Sequence, residues 1–237
     1  EWGDEVSPYG PLWSLVAAPA TAIGGDDLGV ALAFYKALAV AAILAGGWLV
    51  FAVVRAVAPL RAPAAALAYL WNPLLLWEGA GNGHNDALLA VPLLLAGLAW
   101  VHRREALVPA WLTIGAALKY VTLPLLPLAV VAIWRRGDHP RRDRVRVLAI
   151  GAALSVVAGL LSLAPFFDPA AALRSAFDQG GIALTSPAWL AIVVLRGAVE
   201  GETARAIVRI VTTALFLGGL AFLVRVVWRR PECLPRA

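Results

Sequence analysis

The chain has 237 residues, of which 61% are hydrophobic and 15% charged, with a formal net charge of +5 and a mean hydropathy of +0.79. A soluble domain is about half apolar, and a helix that is apolar all round must be buried in protein or in lipid. The apolar runs here are too many for one soluble core, so the composition excludes a soluble globular domain and implies an all-α, polytopic transmembrane helical bundle. Nucleic acid is not an expected partner, because Lys and Arg fall in short loops between apolar runs, where membrane topology explains them.

In chain order, the sequence begins at Glu1, contains no Met and opens without a charged and apolar leader. The expectation is a single transmembrane domain over 1–237 that is a fragment of a longer protein, lacking its first transmembrane helix and its C-terminal helices. Residues 2–13 hold two prolines and two glycines, which fix a non-helical path, and residues 11–23 predict a short interfacial helix with Pro11 in its first turn. Residues 28–54 predict the first long span, with Lys36 about 12 Å in from its start. Residues 63–79, interrupted by Asn72-Pro73, predict a second, and residues 86–101 a third. The stretch 106–134 is long enough for one tilted helix, but one crossing would place Arg103-Arg104 and the cluster from Arg135 to Arg146 on opposite sides. Because Lys and Arg prefer cytoplasmic loops, two short helices, 106–118 and 121–134, are expected instead, with Lys119-Tyr120 at the apex. Residues 147–166 and 206–228 complete about seven membrane helices, and 187–199 are expected along the outer interface. Cys233 stands alone, with no disulfide partner and no metal or redox setting.

The same charge rule puts residues 1–27, the loop 167–186 and the turn in WEGAGNGHNDALL (77–89) on the outer face. Asn82-Gly83 reads as a turn, and Asn85 or Asp86 can cap the helix that starts at Ala87. A cap needs one residue. It leaves His84 and Glu78 unexplained, two further polar groups at the mouth of a helical bundle. Lys36 reads either as a snorkelling lysine or as a binding cation, and Lys119 either as a solvated turn residue or as a second one. Together they suit an anionic group at the outer interface with an apolar tail among the helices, for which a lipid phosphate is the natural candidate. The opening segment is placed to present Asp4 and Tyr9 to the same cavity. His84, Asp86 and Glu78 match no strong metal-ligand spacing, and neither a metal nor a cofactor is expected.

The series PYGPLW (8–13), YK (35–36), WNPLLLWEGAGNGHNDALL (71–89), GAALKYVTLPLLPL (115–128) and APFF (164–167) resembles bacterial membrane glycosyltransferases of the GT-C superfamily. It is most similar to the polyprenyl-phosphomannose-dependent mannosyltransferases of the lipomannan and phosphatidylinositol-mannoside type. The resemblance covers about residues 2–170 in order, and NPLLLWEGAGNGHNDALL is its most specific part. It implies a polyprenyl-phosphate sugar donor whose tail lies between helices, a lipid or glycan acceptor, and inverting transfer with a carboxylate of the first external loop as general base. It also implies cationic and polar groups around the leaving phosphate and no nucleotide in the site. The family's HND motif falls on His84, Asn85 and Asp86, and its hairpin lysine on Lys119. The principal aspartate of the family lies just after the first transmembrane helix, a point that precedes this chain; Asp4 belongs to the later part of that loop.

The candidate catalytic residues are therefore His84, Asp86 and Asp4. The candidate substrate-binding residues are Lys119, Lys36, Tyr9, Glu78, Asn82, Asn85 and Tyr120. Two other functions fit the same features: a transporter or flippase for a lipid-linked or anionic substrate, to which the break at Asn72-Pro73 lends itself, and a non-catalytic membrane protein. Clustering of the polar residues at one face favours an enzyme. Every version of that reading requires the motifs to meet in space.

Overall fold

The structure, a computed structural model, describes residues 9–136, 140–165 and 187–230. Asp4 with the segment up to Pro8, the two phenylalanines of APFF, the loop 167–186 and Cys233 lie outside the described residues. The elements are α1 (Pro11–Gly24), α2 (Leu28–Val57), a 3-10 turn (Pro59–Arg61), α3 (Ala62–Leu70), a π-helical segment (Leu75–Gly81), α4 (Asp86–Val101), α5 (Leu107–Leu118), a second 3-10 turn (Tyr120–Thr122), α6 (Leu125–Arg135), α7 (Arg141–Leu163), α8 (Pro187–Leu195) and α9 (Gly201–Arg229). No strand occurs among the described residues.

Helix α2 is the axis on which the first half is built. The Asp27 carboxylate caps it, accepting the N–H groups of Gly29 at 2.8 Å and Val30 at 3.2 Å. One face is small and buried: Ala39, Ala42, Ile43, Gly46, Gly47 and Leu49. Small residues let backbones approach closely where lipid supplies no hydrophobic drive between helices. The fit is tight, since a Cβ on Gly46 would collide with the Tyr69 ring and one on Gly47 with Leu70. The next segment continues the climb back along α2. Asn72 accepts the N–H of Leu74 at 3.0 Å, restarting the helix after the Asn72-Pro73 break, and Gly79 lies against Ile43. The chain then turns by 116° between the π segment and α4. At that angle the π segment and α4 form a broken span or a re-entrant turn, not one straight helix. Helix α4 descends beside α2, with Gly83 at Lys36 and Gly97 at Val53.

Residues 106–134 form the expected hairpin. Thr122, 1% exposed, donates from Oγ1 to the Leu112 carbonyl at 3.1 Å and lies against Gly115. The open end is closed by an ion pair at 3.0 Å between Glu105 and Arg136, whose side chains are 5% and 7% exposed. Arg136 also donates to the Trp100 carbonyl at 3.0 Å and lies 4.3 Å over the Trp100 ring. Between α4, α5 and α6 the core is Ala96, Ala99, Val108, Leu112 and Ala129. Helix α7 packs on α5 where Gly151 meets Ala106 and Pro109. Helix α9 reaches α6 through Arg135, 5.2 Å over the Trp228 ring.

The bundle consequently has two unlike ends. One gathers the start of α2, the start of α4 and the end of α5. The other gathers the arginines that flank 106–134, together with the C-terminal ends of α2, α4 and α9. Among the described residues, α2, α7 and α9 are each long and apolar enough to cross a membrane, and the bent pair taken as one span makes up to four; the two arms of the hairpin are shorter apolar helices, and the expected span 63–79 is split into α3 and the π segment. Only 6% of the apolar window of α9 is buried in the chain's own fold, so its surface needs lipid or protein around it.

Candidate functional site

The turn after the π segment is wound by three backbone bonds: Asn82 N–H to Trp77 at 3.0 Å, Gly83 N–H to Gly79 at 2.9 Å and His84 N–H to Glu78 at 2.9 Å. Such wide turns occur frequently at functional sites. Gly83 has φ +70°, a conformation that costs glycine little, and its open side rests on Tyr35 and Lys36 of α2.

Helix α4 starts at Asp86, with Asn85 in the capping position. The expected side-chain cap is absent. Asn85 has φ −70° and ψ −10°, a helical rather than extended geometry, and neither it nor Asp86 caps the helix by a side-chain bond. The Asn85 Oδ1 atom is buried without a partner among the described residues. The Asp86 carboxylate is engaged elsewhere. Its Oδ1 accepts from Lys119 Nζ at 2.6 Å and its Oδ2 lies 3.4 Å from His84 Nδ1. A negative charge in the first turn of α4 is also favoured by the helix dipole.

Lys119 is placed by the end of α5. Its backbone leaves the helix in an extended conformation, φ −153° and ψ 123°, after its N–H closes on Gly115 at 2.8 Å. The three side chains of this group remain accessible, at 34% for Lys119, 54% for Asp86 and 49% for His84. Ion pairs this exposed are worth about 0–1 kcal/mol. Stability therefore gives little reason to hold them.

Residues 9–13 dock onto the same end. Gly10 N–H donates to the Leu118 carbonyl at 3.0 Å, and a Cβ at Gly10 would collide with the Ala117 carbonyl. Beside it, Tyr9 packs against Trp13 with centroids 5.6 Å apart, Trp13 stacks on Tyr35 at 5.9 Å and 25°, and Phe34 meets Tyr35 edge-on at 5.8 Å. Residues 9–13 of PYGPLW and the motifs YK, NGHND and LKY thus form one continuous patch. Trp13 and Tyr35 were not among the candidate residues; the signal for them was their place inside two of those motifs.

Other candidates sit at the edges of the patch. Glu78 and Asn82 pair with each other, Oε2 accepting from Nδ2 at 3.2 Å, rather than with Asp86. Lys36 lies under the Gly83 turn. Tyr120 follows Lys119 at the start of the second 3-10 turn. Asp4 lies outside the described residues. Among the described residues no three His, Cys, Asp or Glu side chains converge as a metal site would require. Chemically, the patch offers an accessible lysine, a second lysine beneath the turn, an imidazole oriented by a carboxylate, and a wall of stacked rings. Such a set can hold an anionic group next to a hydroxyl-rich one.

No solved structure matches the chain. Alpha-(1->6)-mannopyranosyltransferase A of Corynebacterium glutamicum is 29% identical over 139 residues, which cover 55% of this chain and 26% of the relative. The chain spans about a quarter of the length of that curated relative. The profile of the alpha-(1->6)-mannopyranosyltransferase N-terminal domain family matches residues 1–136, the segment that carries the whole patch. The chain belongs to the alpha-(1->6)-mannopyranosyltransferase family, and residues 1–136 correspond to its N-terminal domain.

Proposed function

We propose that the protein is a membrane mannosyltransferase of the GT-C type that moves mannose, with inversion, from a polyprenyl-phosphate donor to a lipid or glycan acceptor. The observation that carries this reading is the group formed by His84, Asp86 and Lys119, joined to the aromatic wall at one end of an apolar bundle. The basic end faces the cytoplasm by the charge rule, so the patch faces outward and meets the headgroup level of that leaflet.

The donor's isoprenoid tail lies among the helices and its phosphate at the patch. Lys119, held in place by Asp86, and Lys36 neutralise that phosphate. His84, with Nδ1 toward Asp86, presents Nε2 to the phosphate or the acceptor. Glu78, Asn82, Asn85 and Tyr120 orient substrate hydroxyls, and Tyr9 borders the sugar. In the transfer step an acceptor hydroxyl oxygen bonds to the anomeric carbon from the face opposite the phosphate. The bond from that carbon to the phosphate oxygen breaks, and polyprenyl phosphate leaves. A carboxylate of the first external loop, in which Asp4 lies, takes the hydroxyl proton. Cations at the leaving oxygens lower the barrier because charge develops there.

The test uses membranes that contain the protein, given polyprenyl-phosphomannose and a mannan acceptor. His84→Ala and Asp86→Asn are each expected to cut transfer by about 10²–10³-fold at unchanged protein level. Wild-type turnover in both variants would remove the site assignment. Movement of labelled donor across the membrane without chemical change would replace the reading with a transporter.

A further inference from the structure

The end of the bundle opposite the patch carries a concave feature. A cleft of about 380 Å³ lies between α4 and α5, lined by Leu95, Leu98, Ala99, Leu107 and Trp111, with His102 and Arg104 among its lining residues. The length of α4, 16 residues and about 24 Å at 1.5 Å per residue, separates its basic residues His102 and Arg104 from His84 and Asp86. It is not part of the transfer site.

The turn beside the cleft is built at a cost. Helix α4 ends in two backbone bonds, Arg103 N–H to Trp100 at 3.2 Å and Arg104 N–H to Ala99 at 2.8 Å. This is the helix stop that places a left-handed residue just past the end, usually glycine. Here Arg103 occupies it with φ 60°, at roughly 1–2 kcal/mol for a residue with a Cβ. Strain of this kind is retained at ligand sites more often than elsewhere. The stop sets two residues that carry or can carry positive charge, His102 and Arg104, at the cleft.

Among the described residues that line the cleft, the charged side chains are all basic. Glu105, the carboxylate next in sequence, is buried against Arg136 at 3.0 Å. The side chains of His102 and Arg104 are exposed and make no hydrogen bond or ion pair with another described residue. The helix end would normally repel an anion, but the Ala99 and Trp100 carbonyls already accept hydrogen bonds, Trp100 from Arg136 as well. The cations therefore dominate.

We infer that this cleft binds one anionic phospholipid, its phosphate at His102 and Arg104 and an acyl chain between α4 and α5 against Leu98 and Trp111. Volume and lining suit it: ligand pockets run from about 300 to 1,000 Å³, and basic pockets between membrane helices hold acidic headgroups. A zwitterionic lipid brings its own cation to the same place and gains less. The site would tie the leaflet that holds the arginines to the α4–α5 pair, whose far ends position Asp86 and Lys119.

The experiment is native mass spectrometry of the purified protein released from micelles containing equimolar phosphatidylglycerol and phosphatidylcholine. The wild type is expected to retain one phosphatidylglycerol in preference to phosphatidylcholine. Removing one cation by Arg104→Gln is expected to lower that retention about fivefold, and His102→Ala with Arg104→Gln to lower it further. Leu98→Trp, which fills the cleft, is expected to abolish it; if that variant does not fold, the exposed cation variants decide alone. Arg146→Ala, at the same end but outside the cleft, is expected to change nothing. Equal retention of the two lipids, undiminished phosphatidylglycerol in the double variant, or an equal loss in Arg146→Ala would each overturn the assignment.

Discussion

The molecule joins a carboxylate to a cation at both ends, and the two pairs have opposite surroundings. Glu105 and Arg136 meet at 3.0 Å with side chains 5% and 7% exposed, at the base of the α5–α6 hairpin. Asp86 and Lys119 meet at 2.6 Å with side chains 54% and 34% exposed, at its apex. Distance alone would rank the second as the stronger. Burial reverses the ranking for stability. A buried charge that loses its partner is left uncompensated, whereas an exposed one returns to solvent. The base pair is therefore structural, and the apex pair is open to a ligand.

The largest expected effect probes the base. Arg136→Ala leaves Glu105 buried without its partner and removes the bond to Trp100, so a loss of about 3–5 kcal/mol is expected, read as a large fall in the thermal unfolding midpoint in detergent. An unchanged midpoint would break the contrast at once. Next is the apex. Lys119→Ala is expected to lower mannosyl transfer by about 10²–10³-fold and to shift stability by no more than about 1 kcal/mol; a variant that melts early and keeps its turnover would make this pair structural too.

Smaller effects sharpen the comparison. Gly10→Ala drives a Cβ into the Ala117 carbonyl, which forces the opening strap off α5 at about 1–3 kcal/mol. Because Trp13, three residues along, stacks on Tyr35 of α2, acceptor KM is expected to rise alongside the loss of stability. Stability loss with an unchanged KM would detach the aromatic wall from the site. The smallest effect belongs to Asn85→Ala. A capping asparagine is worth about 1 kcal/mol, but Asn85 makes no capping bond, so a change below about 0.5 kcal/mol is expected in the same melting assay. A full kilocalorie would mean that the residue caps after all.

Much of this architecture was legible beforehand. The apolar runs located the helices because a backbone in lipid must satisfy its own hydrogen bonds. The positions of the arginines on either side of 106–134 favoured a hairpin over one long helix, and Thr122 on Leu112 and Arg136 on Glu105 are the contacts that make it one. Asn82-Gly83 announced the turn that Gly83 makes. The expected cap does not form, because a capping signal is local while the Asp86 carboxylate meets a partner 33 residues along the chain. Trp13 and Tyr35 carry no separate signal in the sequence, because an aromatic in a membrane protein has an interfacial explanation and nothing in their spacing says that they stack.

What the sequence by itself determined is the class of the molecule and the identity of its unusual residues: an all-α membrane chain with histidine, acids and lysines where apolar residues were expected. Hydropathy and charge decide this because they act on each segment independently of its neighbours. What only the tertiary structure decided is which of those residues meet. Whether Asp86 caps its own helix or binds Lys119, and whether a carboxylate and an arginine are sealed or left open, depends on how α4, α5 and α6 pack. That packing is set by small residues and close backbone approaches whose effect exists only once the helices are side by side.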